Sequence, residues 1–317
     1  MSELQTISTG TLAAARRADE HPAIVYLARL SPGSRPTMRA ALDAIAGVLS
    51  QGSCDHLSLP WAGVRYQHTA AVRTLLAERY APATANKMLA ALRGVLKESW
   101  RLGQMPAEDF HRAADLPGVR GSTLPRGRAL SAGELRALFD VCAIDKSPAG
   151  ARDAALLAIL YGCGVRRAEA AGVDLDDYTP ETGELRVRRG KGRKDRLTYA
   201  SAGARAAVDR WITVRGPEPG ALLWPVRKGG QLEHRRLTTQ AIYYALRRRS
   251  ETAGVASFSP HDLRRTFISD LLDAGADIST VQRLAGHENV QTTQRYDRRP
   301  EKAKQRAVEL LHVPYAA

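Results

Sequence analysis

The stretch E-L-R-V-R-R-G-K-G-R-K-D-R-L-T-Y-A, residues 184–200, breaks the period of everything around it. Leu185 and Val187 alternate with Glu184, Arg186 and Arg188, the two-residue repeat of a strand with one buried face. Gly190-Lys191-Gly192-Arg193-Lys194 turns the chain, and D-R-L-T-Y-A (195–200) returns as a second strand. The segment is therefore a predicted β-hairpin with a basic, glycine-containing tip. The tip is no Walker A loop, which needs Ser or Thr after Gly-Lys and a glycine five residues upstream. Here Gly192 follows, and the nearest upstream glycine is Gly183. Two readings of Lys191 stay open: a cation that reaches a groove and donates a proton, or a solvated turn that blunts a sheet edge.

Outward from the hairpin the apolar residues recur at helical spacing, so the expected class is mainly α with a small antiparallel β-sheet. Residues 1–18 read as a disordered lead-in. In 19–112 the pattern is helical throughout: Ile24, Leu27 and Leu30, then Met38, Leu42, Ile45, Val48 and Leu49. A third helix is expected from near Trp61 to Tyr80. A fourth follows the break at Ala81-Pro82, and the four make an all-α domain. Residues 113–128 hold prolines, glycines and arginines without a period and read as a linker. A mixed α/β domain over 129–299 opens on the capping box Ser131-x-x-Glu134. Arg152 to Gly162 is expected as a mostly buried helix, and helices resume after Ala202 and at 238–249. Residues 300–317 form a tail helix with Ala303, Ala307, Leu310 and Leu311 on one stripe.

The 317 residues carry 47 Lys+Arg against 33 Asp+Glu, a net charge of +14. The excess is uneven, 14 against 10 in residues 1–120 and 33 against 23 in the rest. A basic surplus of this size suits a polyanion, because each phosphate neutralised releases condensed counterions. A membrane surface is disfavoured, since no basic amphipathic helix has Trp or Phe on its apolar face. The three cysteines, Cys54, Cys142 and Cys163, are odd in number and far apart, which leaves no disulfide framework or metal clip. The N-terminus lacks a signal-peptide pattern and the apolar run 154–165 is too short to span a bilayer, so the expected location is the cytoplasm.

The second domain concentrates the residues with chemistry. Arg166 has Glu169 one helical turn on, either a surface ion pair or an arginine clamped so that its fork faces a phosphate. His261 and Arg264 share a helix face. His287 follows a glycine at an expected helix boundary, and Tyr296 lies between arginines. Nothing in the sequence has metal-ligand spacing. Two arginines, a lysine, two histidines and a tyrosine fit metal-free phosphoryl transfer, in which cations neutralise the equatorial oxygens around an in-line nucleophile. Each residue alone also has a plain structural reading as a cap, surface charge or solvated hydroxyl.

Taken in order, G-V-R-R-A-E (164–169), G-K-G-R-K-D-R (190–196), P-H-D-L-R-R-T-F (260–267), L-A-G-H (284–287) and T-T-Q-R-Y (292–296) resemble the tyrosine recombinase, or phage integrase, family. The helical stretch 81–97 resembles that family's core-binding domain. The resemblance implies an all-α core-binding domain and a mixed α/β catalytic domain. It implies that Arg166 and Arg264 hold the scissile phosphate and Lys191 protonates the departing 5′ oxygen. His261 would assist proton transfer at the tyrosine, His287 would hydrogen-bond the phosphate, and Tyr296 would attack to leave a 3′-phosphotyrosyl bond. Glu169 would support Arg166. No metal, ATP or other cofactor is implied. The implied partners are double-stranded DNA bearing a specific recombination site and further copies of the chain, a tetramer in the synaptic complex, with the tail on a neighbouring protomer rather than its own domain. Arg193, Lys194, Arg247, Arg248 and Arg249 are candidates for phosphate contacts, not base readout. Cys163 stands where the family often has Thr, and Ala168 where it often has a small residue such as Ser. The short lead-in points to a simple, Xer-like or mobile-element-borne enzyme. The rivals are a DNA-binding accessory protein that keeps the fold without the chemistry, and a relaxing topoisomerase.

Overall fold

In the computed structural model, residues 18–121, 127–188, 195–294 and 308 are described, and the chain divides into two compact units after Pro125. Expectations for the lead-in up to residue 17, the hairpin tip and the tail (residue 308 apart) lie outside the described residues.

The first unit is built around its longest helix. Helices α1 (Pro22–Ala28), α2 (Arg35–Leu49), α3 (Tyr66–Arg79) and α5 (Ala107–Ala114) surround α4 (Pro82–Arg101). On α4 the residues Ala85, Met88, Leu89, Leu92, Val95 and Leu96 are buried at spacings of three and four, a stripe that meets Leu42, Ile45 and Leu49 of α2 and Val72 and Leu76 of α3 in one core. Proline occupies the first turn of α1, α2 and α4, where no amide partner is lost.

Two expectations are corrected here. Helix α5 is a fifth helix: at eight residues it is short, with Phe110, Ala113 and Ala114 on one stripe, and it carries Glu108 and Asp109 in the first turn with His111 and Arg112 in the last. The supposed linker is also not loose from its start. Leu116 is buried, Arg73 donates to Pro117 O, and Asn86 holds Val119 at both N–H and C=O, so 115–121 docks on its own unit. Asp43, Asp55 and His56, which sequence spacing did not connect, also come together in this unit. There Asp43 accepts from His56 and Asp55 caps the 55–58 turn.

The second unit runs α6 (Ala132–Ile144), α7 (Pro148–Leu157), α8 (Arg167–Gly172), the strands β1 (Tyr178–Thr179), β2 (Glu184–Val187) and β3 (Arg196–Tyr199), then α9 (Ala202–Arg215), α10 (Thr239–Thr252), α11 (Pro260–Asp273), α12 (Ile278–Ala285) and α13 (Val290–Gln294). The capping box is present: Glu134 N–H donates to Ser131 Oγ and Ser131 N–H to Glu134 Oε2. Helix α7 is buried from Gly150 to Leu157 and packs on α6 and α9, its two charged residues, Arg152 and Asp153, being buried as a hydrogen-bonded pair. It does not stay α-helical to Gly162, because Ala158–Gly162 widens into a π turn. Such turns recur at functional sites, and this one delivers the chain to Gly164 and Arg166.

The hairpin forms as the two-residue period requires. Strands β2 and β3 pair antiparallel with Val187 opposite Arg196 and Glu184 opposite Tyr199, and the short β1, too brief to carry a period, extends the sheet beside β2. The fold is thus mainly α with a small antiparallel sheet. On β2 the apolar Leu185 and Val187 point inward, but β3 is reversed: Thr198 is buried while Leu197 and Tyr199 face solvent. Thr198 Oγ1 donates to Cys163 O at 2.9 Å, tying the strand to the end of the π turn. Among the described residues no helix is long and apolar enough to cross a membrane.

Candidate active site

Two glycines in the left-handed region frame the site. Gly164 (φ +61°) follows the π turn, and Gly286 (φ +64°) ends α12, its N–H bonding back into the last turn. Side chains are excluded at both: a methyl on Gly164 would enter the Phe267 ring, and one on Gly286 would lie 2.8 Å from Arg196 Cδ. What the two glycines present is carbonyl oxygen. Arg264, on α11 and 1% exposed, donates to Gly164 O and Ala285 O. Arg166, the residue before α8, donates to Gly286 O at 2.9 Å. Arg196 donates through Nε to Leu284 O at 3.1 Å. The last three carbonyls of the α12 end, which lack helical partners and carry its negative dipole end, each take one arginine.

Glu169, in the first turn of α8, joins two of these cations. Its Oε2 accepts from the Arg166 backbone N–H at 2.7 Å and its Oε1 from the Arg166 guanidinium at 2.7 Å. Arg196 closes on the same carboxylate with both Nη atoms, at 2.9 and 2.7 Å. Burial alone would raise the Glu169 carboxyl. The Arg196 hydrogen bonds, the Arg166 N–H, the Arg196 charge and the Arg166 side-chain hydrogen bond outweigh it and hold the group down to about 2. Glu169 is therefore an anion at every working pH, and the bidentate geometry is the strong form of the arginine–carboxylate pair.

The histidines sit in the field of these arginines. His287 is placed by its Gly286 neighbour: its backbone N–H bonds to Gln282 O, its carbonyl accepts from Gln282 Nε2, and its Nδ1 lies 2.9 Å from Thr293 Oγ1. Burial, then Arg264, Arg166, His261 and Arg196, push its pKa down to about 4. His261 is exposed in the first turn of α11, beside buried Asp262, which caps Ser259. Desolvation, then Arg264 and Arg265, lower its pKa as well. Both imidazoles are neutral at physiological pH, each able to donate from one nitrogen and accept at the other.

Five of the sequence candidates, Arg166, Glu169, His261, Arg264 and His287, thus fall in one region of the second unit. Lys191, Arg193, Lys194 and Tyr296 lie outside the described residues. Of the α10 arginines, Arg247 pairs with Glu251 at 2.9 Å on an exposed face and Arg248 is exposed. Arg249 as a DNA-contact candidate is corrected. Its side chain is 6% exposed and bonds Asp153 at 2.8 Å and Asp145 at 2.6 Å, with Arg152 on the other side of Asp153. It is a buried tie between α10, α7 and the end of α6. Arg196 is the residue that sequence reading missed. Its signal was in the hairpin: at the start of the return strand it shares the inward parity of Thr198.

Fixed guanidinium forks beside neutral imidazoles, with a carboxylate balancing part of the charge, make a site for a phosphodiester. A guanidinium has five N–H donors, so anchoring to carbonyls is compatible with holding an anion's oxygens. Comparison with known proteins narrows this class. The model of the phage integrase family matches residues 128–302. Tyrosine recombinase XerD of Pseudomonas putida is 32% identical over 275 residues, covering 84% of this chain and 87% of that protein. The XerD of Pseudomonas aeruginosa is 33% identical over 227 residues, 70% of this chain and 72% of its own. Among solved structures, the Tn1549 transposon integrase in complex with transposon right end DNA superposes with a TM-score of 0.68 at 16% identity, covering 92% of this chain and 98% of that one. A lambda integrase dimer bound to a core site gives 0.64 at 15% identity, with 88% and 93% covered, so these two show the shared fold. The chain belongs to the phage integrase family, the tyrosine recombinases.

Proposed function

We propose that this chain is a site-specific DNA recombinase that cleaves and rejoins strands through a 3′-phosphotyrosyl intermediate. Tyr296 is the nucleophile, Arg166 and Arg264 hold the non-bridging oxygens of the scissile phosphate, and His287 hydrogen-bonds the same group. His261 takes the phenol proton, and Lys191 gives a proton to the departing 5′ oxygen. The phosphotyrosyl bond conserves the energy of the phosphodiester, so the 5′ hydroxyl of a partner strand reverses the step without ATP. The observation that carries this reading is the gathering of Arg166, Arg264 and His287 at the C-terminal end of α12, with Glu169 fixing Arg166. A lowered His261 pKa supports its role, because a proton acceptor must be unprotonated at working pH.

The partner is double-stranded DNA carrying a recombination site, with the net charge of +14 supplying the sequence-independent part of binding. In this reading the helical segment 19–112 is a core-binding domain, 129–299 the catalytic domain and 113–128 their connection. Four protomers act on two sites, with the tail 300–317 docking on a neighbour, in the cytoplasm. The test begins by sequencing DNA trapped covalently on the protein in cells, then places two copies of the recovered site on one plasmid. Recombinant products are expected without ATP. Relaxation of any supercoiled plasmid regardless of site would indicate a topoisomerase instead, and tight binding without strand exchange an accessory protein.

A further inference from the structure

We infer that Arg196 is a positioning residue for the strand-transfer site, holding the Glu169 carboxylate neutralised so that the charge of Arg166 stays available to the scissile phosphate. The inference rests on the recombinase reading and adds to it a residue outside the proposed catalytic set. Three observations converge on it. Arg196 lies on the inward face of β3, its side chain 12% exposed, in a strand that leaves Leu197 and Tyr199 in solvent. A strand that buries a cation and exposes its leucine and tyrosine runs against the hydrophobic pattern, and such local violations are expected where function fixes the residue.

The second observation is stoichiometry. Glu169 has two guanidinium partners, and Arg196 takes it with both Nη atoms while Arg166 takes it with one. Two guanidiniums, of Arg166 and Arg196, therefore share one carboxylate. Without Arg196, the counter-charge to Glu169 would fall on Arg166 alone. An arginine paired one-to-one with a carboxylate presents little net charge to a third group, whereas one sharing it with a second arginine keeps most of its field. The third observation is the contact of Arg196 Nε with Leu284 O. It fastens β3 to the helix end that holds Arg264 and Arg166. One side chain thus links β3, α8 and α12.

The test is a double-mutant cycle in single-turnover cleavage of a nicked suicide substrate, with DNA affinity and thermal melting measured on the same proteins. Arg196→Gln is expected to slow cleavage about tenfold, less than the roughly 10²–10³-fold cost of losing a direct oxyanion donor. Its Kd for the DNA should stay within about twofold, because one charge changes among the many that bind the backbone. Adding Glu169→Gln should recover more than half of the lost log rate, because the unbalanced carboxylate is gone. Arg196→Lys, which keeps the charge and loses the fork, should cleave faster than Arg196→Gln at every pH. The pH profile gives a further reading: with the Arg196 charge removed, His287, which also faces Arg264, Arg166 and His261, should titrate at higher pH. Additive losses in the double variant, or wild-type cleavage by Arg196→Gln, would overturn the inference. If Arg196→Gln does not fold, Arg196→Lys decides alone: cleavage as slow as about tenfold below wild type in a folded protein would overturn it. Failure of the wild type to form any covalent adduct would instead sink the recombinase reading, so the two failures are distinguishable.

Discussion

Replacing Arg249 by alanine is expected to destabilise the second unit while the neighbouring Arg248→Ala does not, although the two stand side by side in a triplet that reads as one basic patch. Arg249 spans Asp153 at 2.8 Å and Asp145 at 2.6 Å. Asp153 is 1% exposed and is also held by Arg152 at 2.8 Å. Breaking a buried ion pair by removing one partner costs about 3–5 kcal/mol, because the other charge stays in a medium that solvates it poorly. The lower end applies here, since Asp153 keeps Arg152 and Asp145 keeps its hydrogen bond from Ser147 N–H. For a unit of this size about 3 kcal/mol lowers the melting temperature by about 6–12 °C. Arg248 is exposed and lies 3.8 Å from Asp153, so its removal should cost under about 0.5 kcal/mol and appear, if anywhere, in DNA affinity. Calorimetric melts of both variants, with affinity for non-specific duplex measured beside them, make the comparison. Equal melting temperatures, or a larger loss for Arg248→Ala, would refute the assignment of Arg249 to the interior.

Gly286→Ala should slow cleavage more than it lowers stability: the left-handed backbone costs about 1 kcal/mol, and the new methyl, 2.8 Å from Arg196 Cδ, displaces a cation from the site. Single-turnover rates beside a thermal melt would show the split. Asn86→Ala removes both bonds that hold Val119, at 3.0 and 2.8 Å, so trypsin should cut after Arg120 several-fold faster than in wild type, as a timed digest would record. Stability should also fall as pH drops from about 6.5 toward about 4. The unfolded state binds protons at His287 and His261 in that window while the folded state, with both pKa values depressed, resists. Urea titrations across that range should show a shallower slope for His287→Gln.

Much of the fold and site was legible because the relevant signals are local. The alternation at Leu185 and Val187 specified the strand, Ser131 and Glu134 specified a helix start, and Gly286 before His287 specified a helix end. The Arg166–Glu169 pair was readable from its one-turn spacing. What the sequence hid depends on distant partners. Arg249 reads like Arg247 and Arg248 until Asp145 and Asp153 are brought against it from two other helices. Arg196 reads as one more hairpin cation until the Leu284 carbonyl of α12 and the Glu169 carboxylate define what it touches. Likewise the 115–121 segment has the composition of a linker, and side chains well upstream, Arg73, Asn86 and Arg93, turn it into a docked strap.

The most direct measurement uses a duplex of the cognate site nicked beside the cleavage position, incubated with wild type or Tyr296→Phe and resolved on a denaturing gel without ATP. Wild type should form a covalent protein–DNA adduct that survives denaturation, and Tyr296→Phe should bind the same DNA with similar affinity and form none. An adduct in both proteins would place the nucleophile elsewhere. No adduct from a wild type that binds the site tightly would contradict the strand-transfer chemistry altogether.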